Sequence, residues 1–405
     1  MKKIILSCVF LLFWGVSTAQ WTAIDSVKTN AIWLIAPDDG WSFGKDFKHW
    51  DGTSWVTAVQ DSAFIALTCA FPSPNSGWVF GIQDSLYRFN GSVWTKQFSG
   101  MPYIGYCDFT DSLNGWVLSP MGVSYRYDNG IWNQYNINLP AYIQPCYYQS
   151  ISSCDPNTVW IAASAIYDYP ATDSSYFIRF VNNQWIIDTA LPDIYFYTIC
   201  FTDPNHGWAG GLDVGNGYQN VIYRYDGQGW SLESVLGGYD GVGSIYMYSN
   251  NLGWASVSAN ADFFIYVYDG FSWSLQDSLH WPVKQFSFTD PMNGWALGIN
   301  TGHPNHISNI IFETSSGGFG IETHFDINSK DIIVFPNPTS TSFSVQLPPT
   351  FGTLEKLEIF NSVGQMVRRY KTVENVDLSG FPDGLYFVVV SNEDGERVTG
   401  RVVKE

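Results

Sequence analysis

The chain has 405 residues, of which 17% are aromatic and only 14% are charged, with 37 acids against 19 bases. An apolar fraction of 45% is enough for a large core and excludes a wholly disordered chain. The formal charge of −18 argues against binding nucleic acid or anionic membrane through a general basic surface. A chain of this length is expected to form two or three domains.

The N-terminus has the layout of a secretory signal peptide. Lys2 and Lys3 precede the 11-residue apolar run Ile4–Trp14, and the small residues Ser17-Thr18-Ala19 follow it. We therefore predict a signal peptide over residues 1–19, with cleavage before Gln20. The apolar run is shorter than the roughly 20 residues that span a bilayer. Since no later stretch is long and apolar enough, we expect no membrane-spanning segment in the mature chain.

Tryptophan recurs at two positions of a repeat in the middle of the chain. The first set, usually preceded by Gly, is Trp41, Trp78, Trp116, Trp160, Trp208, Trp254 and Trp295, with gaps of 37, 38, 44, 48, 46 and 41 residues. The second set is Trp21, Trp55, Trp94, Trp132, Trp185, Trp230 and Trp273. A fixed period near 40 residues is typical of propellers and solenoids.

Residues 198–234 show the repeat best. Four short runs are predicted as strands, at residues 198–202, 207–211, 221–225 and 230–233. Asp203-Pro204-Asn205 and Asp226-Gly227 supply the turns between them. Four short antiparallel strands per period form a propeller blade.

The ends of the repeat array predict how the ring closes. The seventh repeat lacks a fourth strand with Trp, and residues 20–24 match such a strand. We predict an all-β chain with a seven-bladed β-propeller over residues 20–315, in which the N-terminal strand completes the last blade and removes an exposed edge. An open β-solenoid, or a ring of six or eight blades, is the alternative.

The repeats carry two signatures, seen in Asp203-x-x-x-Gly207-Trp208 and Asp226-Gly227-x-x-Trp230. Over residues 20 to 315 the chain resembles the broad family of sialidase-type Asp-box repeats and photosystem-II-assembly-factor-like propellers. That resemblance implies the fold and leaves the activity open, because such repeats are structural.

Five cysteines remain after the signal peptide: Cys69, Cys107, Cys146, Cys154 and Cys200. An odd number leaves at least one thiol without an intramolecular partner. Cys69, Cys107 and Cys200 occupy similar positions in successive repeats, which favours small buried residues over disulfide partners. Cys146–Cys154 is the one pair that we consider as a disulfide.

Ser315-Ser316-Gly317-Gly318 breaks the repeat pattern, and we predict a linker over residues 316–330 and a second domain over residues 331–405. The last 75 residues lack Trp and Cys and contain Val-rich alternating runs, which predict a small immunoglobulin-like β-sandwich. This segment resembles the C-terminal sorting domain of the type IX (Por) secretion system. The residues that carry the resemblance are Pro336, Asn337, Pro338, Gly364, Gly380, Gly384, Tyr386 and Lys404.

The resemblance implies a route and a set of partners. The chain would pass through the periplasm, engage the type IX secretion machinery and its sortase, and be released or joined to surface lipopolysaccharide, in a Bacteroidota-type cell. There, Asp-Ser/Thr followed by an apolar residue is an O-glycosylation pattern. The hydroxyl residues in such tripeptides are Ser26, Ser62, Ser85, Ser112, Thr189 and Ser278.

No catalytic constellation stands out in the propeller, and we predict no catalytic residue, no metal and no cofactor. Asp203-x-Asn205-x-Gly207 is better explained as a turn than as a calcium loop, because its run of carboxylates is too short. Arg88, Arg126, Arg179 and Arg224 occupy one repeat position. They could bind an anion, but equivalent positions in a ring do not converge, so we favour a repeated structural contact.

The candidate site lies in the loops that join one blade to the next and in those that join strands 2 and 3 of a blade. Its residues are Tyr103, Tyr142, Tyr195, Tyr239, Trp281, Asp168, Asp213 and His303. Aromatic rings with Asp partners suit the faces and hydroxyls of sugars. We expect a non-catalytic module that binds glycan or protein. The alternatives are a glycan-active enzyme, which needs two carboxylates about 5–9 Å apart, and a structural surface or adhesin component.

Overall fold

The computed structural model describes residues 21–82, 85–98, 100–101, 103–139, 146–165, 174–259, 262–279, 281–299, 309–315, 332–347, 351–361, 366–392 and 397–404. Every regular element in these residues is a β-strand, which confirms the all-β prediction. A helix able to cross a membrane is absent from the described part of the chain. The predicted signal peptide and most of the predicted linker lie outside the described residues, and the domain limits stay a prediction.

Seven four-stranded antiparallel sheets form the blades, and we number them in chain order. The first strand, β1 (Thr22–Val27), precedes blade 1. Blade 1 consists of β2 (Thr29–Ala36), β3 (Asp39–Gly44), β4 (Asp46–Trp50) and β5 (Trp55–Gln60). Blade 2 consists of β6 (Ala66–Ser73), β7 (Ser76–Gly81), β8 (Ser85–Phe89) and β9 (Trp94–Phe98). Blade 3 consists of β10 (Tyr106–Phe109), β11 (Asn114–Leu118), β12 (Val123–Asp128) and β13 (Ile131–Asn136).

The next three blades have longer strands. Blade 4 consists of β14 (Cys146–Asp155), β15 (Thr158–Ala165), β16 (Ser174–Val181) and β17 (Gln184–Pro192). Blade 5 consists of β18 (Ile194–Asp203), β19 (His206–Asp213), β20 (Gln219–Tyr225) and β21 (Trp230–Leu236). Blade 6 consists of β22 (Gly241–Ser249), β23 (Leu252–Ala259), β24 (Asp262–Tyr268) and β25 (Trp273–Leu279).

Blade 7 joins the two ends of the propeller. Its first three strands are β26 (Val283–Phe288), β27 (Gly294–Gly298) and β28 (Asn309–Thr314). Its fourth strand is β1, which runs antiparallel to β28 with Thr22 opposite Glu313. The first strands of neighbouring blades contact one another around the whole ring, including β26 with β2. The ring is therefore closed, with seven blades in the described residues.

The tryptophans of the two sets pack between blades. Each first-set Trp lies in a second strand and is buried, and each second-set Trp lies at the start of a fourth strand or just before it. Ring centroids of Trp94 and Trp41 are 5.3 Å apart, so the fourth-strand Trp of blade 2 packs on the second-strand Trp of blade 1. Trp55 and Trp295, 5.4 Å apart, make the same contact between blades 1 and 7. Most of the aromatic excess therefore holds the ring together.

The innermost strand of a blade has a free edge, and in most blades a side chain of the preceding blade bonds to its backbone. Ser152 Oγ accepts a hydrogen bond from the Phe201 backbone N–H at 2.9 Å, and Ser287 Oγ accepts one from the Leu34 N–H at 2.8 Å. The Asp108 carboxylate does the same for the Ser153 N–H at 2.6 Å. Buried amides without partners would destabilise the ring, so these bonds brace it. Burial raises the pKa of Asp108 to about 6.

The four arginines repeat one contact with the first-set tryptophans. Each lies opposite a first-set Trp in the sheet register, and the Arg88 guanidinium carbon is 4.2 Å from the Trp78 ring centroid. Arg88 Nη1 donates to the Tyr127 hydroxyl of the next blade at 3.2 Å, and Arg224 makes the equivalent bond to Tyr268. Cation–π packing on the Trp explains why this position carries Arg, and at Arg88 and Arg224 a bond across the blade interface adds to it. The structural interpretation is therefore the correct one.

The disulfide considered for Cys146 and Cys154 is wrong. Both residues lie in β14, and Cys154 is a free thiol. Eight residues of extended strand separate two Cα atoms by about 26 Å, and a disulfide tolerates about 7 Å. Cys69, Cys107 and Cys200 are also free, and burial raises the pKa of each thiol, to about 12 for Cys107 and Cys200. These thiols are therefore poor nucleophiles.

The C-terminal domain is a two-sheet sandwich, as predicted. Its strands are β29 (Ile333–Phe335), β30 (Ser342–Gln346), β31 (Leu354–Phe360), β32 (Met366–Tyr370), β33 (Val376–Asp377), β34 (Gly384–Asn392) and β35 (Arg397–Lys404). One sheet has the order β29-β30-β33 and the other β32-β31-β34-β35. Phe343, Leu357, Val388 and Val402 are among the buried side chains that fill the space between the sheets.

Candidate functional site

The propeller has two unlike faces. The turn face carries the connections between strands 1 and 2 and between strands 3 and 4 of each blade, and they are short. The loop face carries the connections between strands 2 and 3 and those that lead from one blade to the next. The longest connections between strands 2 and 3 are in blades 4, 5 and 7, at residues 166–173, 214–218 and 299–308. Variation in loop length is typical of a face that carries function.

The carboxylates of the turn face shape its turns. Asp226 Oδ1 accepts hydrogen bonds from the backbone N–H groups of Gln228 at 2.9 Å and Gly229 at 3.0 Å. The residues that make the same pair of bonds elsewhere are Asp51, Asn90, Asp111, Asp155, Asp269 and Asp290. Asp203 accepts from the Asn205 N–H at 2.8 Å, in agreement with a turn rather than a calcium loop. These acids are occupied by backbone groups.

Two of the predicted loop-face aromatics are exposed as expected. Tyr103, between blades 2 and 3, is 48% exposed, and Tyr239, between blades 5 and 6, is 56% exposed. Trp281 lies in the connection from blade 6 to blade 7 but is half-buried against the core of these blades. Tyr142, Asp168 and His303 lie outside the described residues.

The prediction that Tyr195 lies in a connection is wrong. Asp193 alone joins β17 to β18, so Tyr195 is the second residue of β18 and lies opposite Leu212. Asp213 is the last residue of β19 rather than part of the predicted loop, and it is buried, at 7% exposure. Its carboxylate accepts hydrogen bonds from the Asn216 N–H at 3.0 Å and from Asn216 Nδ2 at 2.8 Å. Asp213 therefore braces the loop at 214–218.

The braced loop of blade 5 presents Tyr218. The Asp193 carbonyl accepts the Val214 N–H at 2.8 Å, which ties this loop to the connection from blade 4. Tyr218 is 57% exposed and has a φ of 62°, and Asp193 has a φ of 57°. A bulky residue in the left-handed region is strained, and such strain is found preferentially at binding and catalytic sites. The loop thus holds an exposed aromatic ring in a costly conformation.

The connection from blade 5 to blade 6 lies beside this loop. Asn220 follows the loop, donates through Nδ2 to the Gly237 carbonyl at 3.0 Å and accepts the Gly241 N–H at 2.6 Å. A side chain at Gly241 would collide with the Tyr197 ring, so this position requires Gly. Burial, and after it the charge of Asp240, raises the pKa of Tyr197.

We call Asp193, Tyr197, Tyr218, Tyr239 and Asp240 the blade 5–6 cluster. It combines the exposed rings of Tyr218 and Tyr239 and the half-buried ring of Tyr197 with two carboxylates on one part of the loop face. Sequence reasoning missed Tyr197 because it sits at a β-bulge of β18, where the strand alternation breaks. It missed Asp193 because the connection of a single residue could not be separated from the flanking strands.

The predicted glycosylation tripeptides differ in accessibility. Ser62, between β5 and β6, and Ser278, in β25, are exposed. Thr189 is half-buried in β17, and its hydroxyl donates to Asp188. Modification stays a prediction, and Ser62 and Ser278 are the described positions where a glycan would meet least obstruction.

The motif residues of the C-terminal domain fasten its last strand. Asn337 Oδ1 accepts the Val403 N–H at 2.8 Å, and Asn337 Nδ2 donates to the Arg401 carbonyl at 3.1 Å. Pro336 and Pro338 flank it. Lys404 Nζ pairs with Asp383 Oδ1 at 2.8 Å, and the Lys404 side chain is 9% exposed. The end of β35 is therefore held by specific polar contacts.

The remaining motif residues lie in and before β34. The Tyr386 hydroxyl donates to the Pro382 carbonyl at 2.7 Å, and Gly384 begins β34 with a φ of 150°, a conformation that favours glycine. Gly380 lies in the preceding turn with open space around it. Gly364 lies outside the described residues.

We expect Asn337→Ala to loosen β35 and reduce the amount of protein that reaches the cell surface or medium. Loss of both hydrogen bonds should cost about 1–2 kcal/mol of the unfolding free energy of this domain. Exported and cell-retained protein can be compared by immunoblot. Asn337→Asp keeps the acceptor for the Val403 N–H but loses the donor to the Arg401 carbonyl, so it should also reduce export. Equal export of the alanine variant and the unchanged chain would contradict the role given to Asn337.

Residues 333–405 match the family described as the secretion system C-terminal sorting domain. A β-propeller followed by this domain defines an exported protein, and the type IX system carries it to the cell surface or the medium. The machinery of that system is thus a partner of the chain. No curated protein sequence matches the chain.

Solved structures resemble the chain in fold. YCF48 from Cyanidioschyzon merolae has 13% identity and a TM-score of 0.50, over 73% of this chain and 97% of that one. PorZ of Porphyromonas gingivalis, described as an essential bacterial surface component of the type IX secretion system, has 13% identity and a TM-score of 0.51; the match covers 95% of this chain and 60% of PorZ. The WD40 propeller of Doa1 has 9% identity and a TM-score of 0.53, over 72% and 97%. At these identities the likeness concerns the fold alone.

Proposed function

We propose that this chain is an exported binding protein that holds a glycan on its loop face, at the blade 5–6 cluster. The observation that carries the proposal is Tyr218, a bulky residue held in the left-handed region with its ring 57% exposed. A conformation that costs of order 1–3 kcal/mol persists where the surroundings enforce it. Here the Asp213–Asn216 bonds and the Asp193–Val214 bond enforce it.

The chemistry of the cluster supports a sugar as the ligand. Tyrosine rings pack against the apolar C–H faces of a sugar, and their hydroxyls keep hydrogen-bonding capacity at the rim. Carboxylates of Asp193 and Asp240 offer acceptors for sugar hydroxyls. Tyr239 is 56% exposed next to Asp240, so aromatic surface and acceptors lie side by side along the chain.

The export route supports a ligand outside the cell. A protein delivered to the cell surface or medium meets its ligand outside the cell, and on the turn face carboxylates such as Asp226 are engaged in capping backbone N–H groups. Because long connections are confined to the loop face, this face supplies the variable surface that binding requires. We favour binding over catalysis on this basis.

Glycan-array binding by the mature chain tests the proposal. We expect Tyr218→Ala combined with Tyr239→Ala to weaken binding about tenfold or more, since each stacked ring contributes of order 1 kcal/mol. Tyr248→Ala is the matched control, because Tyr248 is 42% exposed at the end of β22 on the turn face. Absence of any glycan signal, or equal binding by the double variant, would overturn the proposal. Retention of a protein instead would favour the protein-binding alternative.

A further inference from the structure

The propeller has few cations, and most of them are engaged or lie away from the loop face. Residues 20–330 contain 10 bases against 27 acids. The four arginines stack on first-set tryptophans, and Lys96 Nζ pairs with Asp61 Oδ2 at 2.5 Å. Lys48 lies within β4, and Lys330 lies outside the described residues. The remaining cations are Lys28, Lys45 and Lys284.

Two of these lysines face each other on the loop face of blade 1. Lys28 joins β1 to β2, Lys45 joins β3 to β4, and both side chains are exposed. Thr29 pairs with Gly44 in the sheet register. Lys28 precedes the first of this pair and Lys45 follows the second, so the two lysines lie opposite each other at the end of the strand pair. A side chain at Gly44 would collide with the Lys28 carbonyl, so the two backbones approach closely.

Lys284 reaches the same place from blade 7. It is the extra residue of a β-bulge in β26, and Asn30 and Leu67 are the extra residues of equivalent bulges in β2 and β6. Lys284 Nζ donates to the Asn30 carbonyl at 2.8 Å and to the Leu67 carbonyl at 3.3 Å. Its ammonium is thereby fixed beside the residue that lies two positions after Lys28. An ammonium group has three donors, so one remains beyond these two bonds.

Acids offset these three lysines only in part. Asp46, next to Lys45, is exposed, whereas the Asp61 carboxylate is shared between Lys96 Nζ and the Tyr87 hydroxyl. The ion pairs of the described residues include neither Lys28 nor Lys45. Like charges directly opposite each other destabilise a strand pair. An anion between them would remove this repulsion.

The electrostatics of Lys284 also favour an anion. Its side chain remains exposed to solvent, yet desolvation by the blades around it lowers its pKa. A negative charge close to a lysine favours the charged form of the amine. A bound anion would therefore offset at Lys284 the desolvation that the fold imposes.

We propose that Lys28, Lys45 and Lys284 form an anion-binding site that takes a carboxylate or sulfate group of an acidic polysaccharide. We call it the blade 1 lysine site. The inference rests on the proposed function, because it takes the ligand to be a glycan and adds a charged group to it. Carboxylate and sulfate oxygens accept charge-assisted hydrogen bonds from ammonium groups, and these are stronger than neutral ones. The site and the blade 5–6 cluster share the loop face, so one polymer offers charged groups to the first and sugar faces to the second.

Retention of the mature chain on immobilised polysaccharides tests the site. Dextran and dextran sulfate are a matched pair that differs only in sulfate, and polygalacturonate supplies carboxylates. A net charge of −18 gives the chain no general attraction to a polyanion. We nevertheless expect retention on dextran sulfate or polygalacturonate at about 20 mM NaCl, and its loss at about 300 mM. Lys28→Gln with Lys45→Gln should weaken this retention about fivefold or more, since two ion pairs are removed.

Lys48→Gln with Lys371→Gln is the matched control, because it removes the same charge from β4 and from the C-terminal domain. It should leave retention unchanged, and Lys28→Arg with Lys45→Arg should preserve it. No retention on either acidic polymer, or equal retention of the Lys28 and Lys45 glutamine variant, would overturn this inference and leave the blade 5–6 cluster standing. Stronger retention on poly-L-glutamate than on either polysaccharide would overturn it in favour of an acidic peptide. Failure of the proposed function would show separately, as a glycan array without any signal.

Discussion

Trp21→Ala is expected to lower the free energy of unfolding of the propeller by about 3–5 kcal/mol, as loss of a buried Trp does in other cores. Trp21 is 2% exposed, and its ring centroid lies 6.0 Å from that of Phe286 and 5.8 Å from that of Phe288. Its backbone N–H donates to Asp277 and its indole N–H to Gln276, each at 3.3 Å. One residue therefore connects the N-terminal strand to blades 6 and 7.

The effect should exceed that of a tryptophan in a continuous blade because Trp21 anchors β1. Release of β1 exposes the edge of β28 and opens the ring. Urea unfolding followed by tryptophan fluorescence measures the loss, and proteolysis near residue 28 should accelerate. Thr22→Ala, at an exposed position of the same strand, is the control and should cost less than about 1 kcal/mol. If Trp21→Ala lowered the free energy of unfolding by as little as Thr22→Ala, then β1 would not hold the ring closed.

The strands of each blade could be predicted from the sequence repeat, whereas the contacts between neighbouring blades could not. Each blade reuses one pattern of strands and turns, so Trp41 and Trp94 could be placed in a second and a fourth strand. That these two rings touch depends on the rotation between neighbouring blades, which no local pattern contains. The equivalent contact between Trp55 and Trp295 joins residues at opposite ends of the propeller.

The candidate site was predictable only where the connections are long enough to be recognised. Tyr103 and Tyr239 stand in connections of several residues and are exposed, as expected. The prediction for Tyr195 was wrong because the connection before it is one residue long. A sequence does not place a strand boundary to within one residue. Trp281 is in the predicted connection, but the tertiary packing of its ring against blades 6 and 7 lowers its exposure.

Asp108→Ser is expected to stabilise the propeller at neutral pH and to change its stability little at acid pH. Burial raises the pKa of Asp108 to about 6, whereas an unfolded chain keeps an ordinary value near 3.9. Because the folded state binds the proton more tightly, the contribution of Asp108 to stability is full below about pH 4. It falls as the pH rises through about 6 and stays low above. A difference of two units between the folded and unfolded pKa corresponds to about 3 kcal/mol at most. We therefore expect Asp108→Ser to raise the free energy of unfolding by about 1–3 kcal/mol at pH 8.

Serine is the replacement that the repeat itself supplies. Asp108 lies opposite Trp116, and Ser152 and Ser287 lie opposite Trp160 and Trp295 in the same register. Both serines accept the amide of the next blade, as Asp108 does. Asp108→Ser thus keeps the inter-blade hydrogen bond and removes a buried charge.

The difference in unfolding free energy between Asp108→Ser and the unchanged chain, measured in urea from pH 5 to pH 8, isolates this group. Other acids act in the opposite direction, since hydrogen bonds lower the pKa of Asp51 to about 2, but they cancel in the difference. Ser152→Ala is the matched control. It removes the equivalent bond in blade 4 and should cost about 1 kcal/mol at every pH. A difference for Asp108→Ser that stays constant over this range would show that the carboxyl does not titrate in the folded ring.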